Sequence, residues 1–233
     1  MKIMLTIVLL FTAQLGFSQN FVNLNFENAS FQSDPSSGFY PYLVYASNAI
    51  PGWTAYANGL PQTEILSNNI SLSGGAVSII GTNWTHPQIE GKYFIILMGF
   101  NYPGFEYGVS IGQTGTIPLT AQSLIFWGNV GANNVLFDGQ TLSTIVTGGT
   151  PNYNIYEADI SAFAGQTGQL LFTTPPGGSG IVDNIQFSSS PVPEPSELVL
   201  AALGSLLLGF RRWKLFLHTI SSLLKNDFLF ETF

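Results

Sequence analysis

The sequence predicts an all-β fold, a jelly roll or β-sandwich set between two terminal segments of membrane type. Three observations carry that reading. Short apolar or alternating runs recur with Gly, Pro, Asn and Asp between them, the pattern of many short strands. Before Pro191 no helical period persists beyond "ISAFA" at 160–164, which fits a single turn. Charged residues make up only 8% of the chain while aromatics make up 14%, a balance that suits a packed β-rich module and not a disordered segment.

The first segment, "MKIMLTIVLLFTAQLGFS" at 1–18, has one lysine, an apolar centre and the small residues Gly16 and Ser18 before Gln19. It reads as a secretory signal peptide cut between Ser18 and Gln19. Residues 19–190 then form one domain's worth of chain. Strands are expected at 21–26, 76–80, 93–98, 107–113, 123–130, 134–137, 141–146, 153–160, 169–174 and 181–187. The firmest of these is "NVLF-DG-QTLSTIV", because Asp138 and Gly139 supply the positive φ angles of a two-residue hairpin turn. Residues 27–75 read as long loops broken by Pro35, Pro41, Pro51 and Pro61. "GQTG", at Gly112 and again at Gly165, reads as recurring turn chemistry, and "PPGGSG" at Pro175 as a hairpin tip.

The last segment differs in kind. An uncharged run at 198–210 would cover about 20 Å as a helix, short of the roughly 30 Å of a bilayer core. It is apolar on every side and is followed by Arg211, Arg212, Trp213 and Lys214, which place that end at a cytoplasmic interface. Residues 191–214 are therefore a short transmembrane helix with its flanks. Residues 215–233 are an extension whose leucines can share one face.

Composition excludes several classes. Residues 19–190 hold nine acids and one base, Lys92, leaving a formal charge of −8, which repels phosphate backbones and argues against nucleic acid as a partner. There is no cysteine, so disulfides, thiol nucleophiles and thiolate metal sites are absent.

Two resemblances follow from these residues. "VPEPS", at Val192, Pro193, Glu194, Pro195 and Ser196, the apolar helix and the Arg211-Arg212 cluster resemble the PEP-CTERM sorting signal of bacteria with an outer membrane. The resemblance implies an exosortase-type membrane peptidase as partner, acting near Pro193, Glu194 and Pro195. It also implies transient or permanent anchoring in the inner membrane and later release to the cell surface or an exopolysaccharide-rich matrix. The 215–233 extension departs from the family, whose chains end soon after the basic cluster. The succession "VNLNFENASF", "IPGW", "EGKYFIILMG", "SIGQTGTIP", "SLIFWGNV", "YEADISAFAGQTGQLLFTT" and "IVDNIQF" is similar to ectodomains that precede such signals, which resemble galactose-binding-like jelly rolls.

That likeness implies a structural calcium between Glu27 and Asp183, near the first and last strands. Asp183 is unusual on its own terms, since alternation puts it on one face with Ile181 and Ile185. An acid there must be paired, bound to a metal, or satisfied by loop amides or an edge position. For sugar stacking the candidates are Trp53, Tyr56 and Trp84, with Phe39, Tyr40, Tyr42 and Tyr45 beside them, whereas Trp127 is expected between strands.

Catalysis is not expected. "GVSIG" at 108–112 matches the serine-hydrolase pattern, but Ser110 falls within an alternating strand with no helix after it. His86 is the only histidine of the region and precedes the serine, and no spacing selects a carboxylate pair. The expected function is a non-catalytic module that binds or organises exopolysaccharide. A purely structural envelope protein and a secreted hydrolase are the alternatives.

Overall fold

A computed structural model describes residues 20–33, 35, 42–70, 75–82, 89–129 and 134–193. The signal peptide, Ser18 and Gln19, Trp84, His86, Glu194, Pro195, Ser196, the apolar run and Arg211-Arg212 lie outside the described residues.

Sixteen strands are described: β1 (Leu43–Tyr45), β2 (Thr54–Ala57), β3 (Leu60–Gln62), β4 (Glu64–Ser67), β5 (Ala76–Ile80), β6 (Phe94–Met98), β7 (Phe100–Tyr102), β8 (Phe105–Tyr107), β9 (Val109–Thr116), β10 (Ser123–Gly128), β11 (Asn134–Phe137), β12 (Gln140–Leu142), β13 (Thr144–Gly149), β14 (Asn154–Asp159), β15 (Thr167–Thr174) and β16 (Ser179–Ser188). They build an eight-stranded sheet in the order β1-β4-β5-β6-β16-β10-β14-β13 and a six-stranded sheet in the order β12-β11-β15-β9-β2-β3. From β9 onward the chain passes back and forth between the two sheets, so the faces they share become the core.

That core is aromatic at its centre. Phe126 of β10 meets Phe172 of β15 edge to face at 5.2 Å, joining the two sheets, and stacks on Tyr156 of β14 on its other side. Ile95, Leu97, Leu124 and Val182 from one sheet and Ala55, Ile111, Val135 and Leu170 from the other complete it. Alternation explains the choice: in "FIILM" of β6, Ile95 and Leu97 point inward. Phe94 and Ile96 point outward into a second apolar cluster with Ile80 and Ile89. Apolar residues on both faces make this strand an unbroken greasy run in the sequence.

Several expectations needed correction. Within 27–75, residues 43–67 carry β1 to β4 and a helical turn at Ala46–Ala49 where loops were expected, with Pro61 tolerated because β3 is an edge strand. No strand forms at 21–26: Asn23 and Phe26 adopt φ values of 50° and 58°, and a bulky residue there is uncommon and strained. The expected 141–146 strand is divided, with β12 in one sheet and β13 in the other. "GQTG" at Gly112 lies within β9, whereas at Gly165, with φ 76°, it does turn the chain into β15. Pro175 to Gly178 crosses between sheets and is no hairpin tip. Trp127 does not pack between the sheets. It lies on the outer face, stacked on Tyr153 at 4.9 Å.

Other readings hold. β5 and β11 have the expected limits, Ser161–Phe163 forms the single helical turn, and Asp138 (φ 47°) and Gly139 (φ 80°) make the β11–β12 hairpin. The Ser161 amide donates to Asp159 Oδ1 at 2.9 Å, and with the Ser161 hydroxyl it holds that carboxyl below its usual range.

The N-terminal segment closes one side of the sandwich. Gln113, an inward amide of β9, accepts from the Val22 N–H at 2.6 Å and donates to the Val22 carbonyl at 3.0 Å. The Ile185 N–H of β16 donates to the Leu24 carbonyl, and Phe21 packs on Phe187 at 5.1 Å.

Candidate functional site

Two places combine unusual chemistry with defined geometry. The first is the carboxylate site around Asp183. β16 pairs with β6 through Ser179–Val182 and with β10 through Asp183–Ser188, so Asp183 stands where the strand changes partner. Asn184 next to it has φ 43°, and the register of β10 against β16 shifts between Ile125 and Trp127. This bulge turns Ile185 inward, whereas Ile181 remains outward. The expected shared face of Ile181, Asp183 and Ile185 is therefore broken.

Asp183 is fully buried and satisfied by loop amides: Oδ2 accepts from the Glu90 N–H at 3.0 Å and Oδ1 from the Asn184 N–H at 2.7 Å. Glu27 Oε1 accepts from the Lys92 and Tyr93 amides at 2.6 and 2.9 Å. Gly91 lies between these donors with φ 56°, and a Cβ there would strike the Glu27 carboxylate. Successive backbone N–H groups thus form a nest for an anion. Burial pushes the Asp183 carboxyl up to about 8. The two amide hydrogen bonds oppose that rise, and the Glu90 and Glu27 carboxylates add to it. Glu27 and Asp183 are both held by amides of the 90–93 loop. Glu90, which the sequence did not single out, lies on the same loop, with Oε2 buried and without a hydrogen-bond partner. Among the described residues no three His, Cys, Asp or Glu side chains converge as a ready metal cage.

The second place is the hairpin β7–β8, which belongs to neither large sheet. Its pairing sets Phe100 opposite Tyr107, Asn101 opposite Glu106, and Tyr102 opposite Phe105. Opposite residues share a face, so four aromatic rings line one side and Asn101 with Glu106 the other. Phe100 and Tyr107 stack at 5.2 Å, and Phe105 meets both edge-on at 6.1 Å. At the tip Tyr102 and Phe105 are 65% and 64% exposed. Gly104, with φ 82°, makes the tip turn. The two legs leave the body at Gly99 and Gly108, where a Cβ would strike the Pro175 and Thr174 carbonyls. The hairpin is thus pinned at its base and bare at its end.

Of the expected stacking residues, Trp53 and Tyr56 stand apart, while Trp84, Phe39 and Tyr40 lie outside the described residues. Trp53 is a core residue, 4% exposed, packed on Phe26 and Phe172, with its indole N–H donating to the Asn23 carbonyl at 3.0 Å. Tyr56 lies half-buried on the outer face of the six-stranded sheet, accepting from Gln169 at 3.2 Å, opposite Ser110 of β9. Ser110 is the second residue of β9, at the start of a strand and not on the strand-to-helix elbow a serine nucleophile requires. The aromatic hairpin escaped notice because Tyr107 read as the start of the 107–113 strand, whereas it ends β8 and β9 begins at Val109. The signal available was "FNYPGFEY", alternating aromatics about a Pro-Gly turn.

No family model and no curated protein matches the chain. Among solved structures it is similar to TmCBM61, a carbohydrate-binding module in complex with beta-1,4-galactotriose. The identity is 14% over 73% of this chain and 99% of that one, with a TM-score of 0.39. It is also similar to the enzymatically active domain of bacteriophage CBA120 tailspike protein 4. There the identity is 15%, over 59% of this chain and 19% of that one, with a TM-score of 0.35.

Proposed function

We propose that the sandwich is a non-catalytic carbohydrate-binding module of an exported protein, associated with exopolysaccharide at the cell envelope. The observation that supports it is the aromatic hairpin, with Tyr102 and Phe105 exposed at its tip. Rigid rings held in water present flat apolar area at low entropic cost, which suits the C–H face of a pyranose, and the tyrosine hydroxyl adds a hydrogen bond. The negative charge of the domain disfavours phosphate-rich partners.

The test is retention of the purified protein on a glycan array and on the producer's own polysaccharide. Binding that disappears in a Tyr102→Ala/Phe105→Ala double variant is expected. Binding to no glycan favours a purely structural envelope protein, and turnover of esters or oligosaccharides that vanishes in Ser110→Ala would revive a hydrolase.

Export and sorting belong to the same proposal and rest on the terminal motifs. An exosortase-type peptidase would act near Pro193, Glu194 and Pro195, after anchoring in the inner membrane. The intact mass of protein recovered from cells tests both cleavages at once, and an uncut chain in the cytosol would overturn them.

Structural calcium is part of the proposal as well. What supports it is chemical kind alone: Glu27 and Asp183 are oxygen donors held by the amides of one loop, 90–93, while no third acid converges on them among the described residues. Backbone carbonyls or water would supply the remaining ligands.

A further inference from the structure

Four strands end the two large sheets, and three of these edges are blunted. β1 has three residues and is bridged by Ser33 at Val44. β3 has three residues and carries Pro61, and β12 also has only three. The fourth, β13, is six residues long, exposed throughout and reads "TIVTGG", with neither charge nor proline. Ile145 and Val146 at its centre are 42% and 57% exposed. A long, uncharged, β-branched edge presents unused backbone donors and acceptors to any incoming strand, and proteins ordinarily guard such edges with Lys, Pro or a cover. The one guard on β13 is a bulge after Val146, which leaves Thr144, Ile145 and Val146 in regular register with Ala158, Glu157 and Tyr156.

We propose that β13 is a self-pairing edge, through which two copies of this chain join antiparallel and merge their eight-stranded sheets into one. A second copy fits this edge for three reasons. Two-fold antiparallel pairing centred on Ile145 sets Ile145 against Ile145 and Thr144 against Val146, all β-branched pairs that favour a sheet. The strand has no ionisable side chain, so two molecules with a net charge of −7 meet there without opposing acids within the contact. The contact is isologous and the other edges are blunted, so assembly closes at a dimer and does not grow into a filament.

Sedimentation equilibrium of the purified protein over a wide concentration range is the test. A monomer–dimer equilibrium is expected, with amides 144–146 exchanging more slowly as the dimer fills. Ile145→Lys and, independently, Val146→Lys should be monomeric, with the melting temperature of wild type at a dilution where it is monomeric. An equimolar mixture of Ile145→Lys and Ile145→Glu should dimerise again, because the centred register sets the two new side chains opposite each other. A wild-type protein that stays monomeric at every concentration, or Lys variants that dimerise like wild type, would overturn the proposal.

Discussion

The backbone N–H of Glu90 donates to Asp183 Oδ2 at 3.0 Å, tying a loop to a strand 93 residues further along the chain. That loop lies over an acid whose proton is held up to about pH 8 by burial. The unfolded chain releases this proton near pH 4, whereas the folded protein keeps it. Stability contributed by Asp183 is therefore complete below pH 4 and lost as pH rises toward 8, by at most about 1.4 kcal/mol for each pH interval of one. With chelator, the melting temperature should fall from pH 5 to pH 8. With calcium it should fall less, and equal slopes in the two conditions would show that no cation sits at Glu27 and Asp183.

Asp183→Asn removes the titration and, with it, most of that slope. An amide has one acceptor where the carboxyl offers two, so either Glu90 or Asn184 loses its partner, at a cost of about 1–3 kcal/mol. Chemical denaturation should find the variant less stable than wild type at pH 5, with the gap narrowing toward pH 8.

Trp53→Phe keeps a ring against Phe26 and Phe172 but leaves the Asn23 carbonyl without its indole donor. The Asn23 carbonyl still accepts from the Phe26 N–H at 3.3 Å, so a loss of about 0.5–1.5 kcal/mol in denaturant titration is expected, with glycan retention unchanged. Lost binding at full stability would return Trp53 to the ligand site.

Gly139→Ala isolates backbone strain. No atom lies within 4 Å of the added Cβ, so the cost is that of φ 80° for an L-residue, about 1–2 kcal/mol. Gly128→Ala should be far worse, since its Cβ would strike the Ile181 carbonyl, and the two melting temperatures should separate clearly.

Tyr102→Ala and Phe105→Ala should leave stability within about 0.5 kcal/mol, as surface substitutions do. Phe100→Ala, half-buried at the hairpin base, should cost more. Glycan retention, if it follows the tip residues alone, separates platform from scaffold.

Strands such as β5 and β11 were legible because their apolar runs are bounded by Gly, Asn and Asp, whereas the β7–β8 hairpin and the division between β12 and β13 were not. Glu27 and Asp183 were singled out as a pair only through resemblance. What escaped has local causes. β1 to β4 span three or four residues each, too few for a period to emerge, and their pairing is set by distant strands. The fate of Trp53 depended on the Asn23 carbonyl, held by a turn with positive φ that no alternation reveals. The one-residue bulge at Asn184 reversed the facing of Ile185, and nothing in "IVDNIQF" marks it apart from an asparagine able to adopt that conformation.

The clamp of Gln113 on Val22 bears on the timing of assembly. Synthesis proceeds from the N-terminus, so Val22 and Leu24 emerge well before Gln113 and very long before Ile185, the groups that secure them. The opening residues must wait for nearly the whole domain before they can dock, and such distant contacts slow folding. A pause, a fusion or a cut at that end would leave the sandwich with one seam open and its aromatic interior wetted.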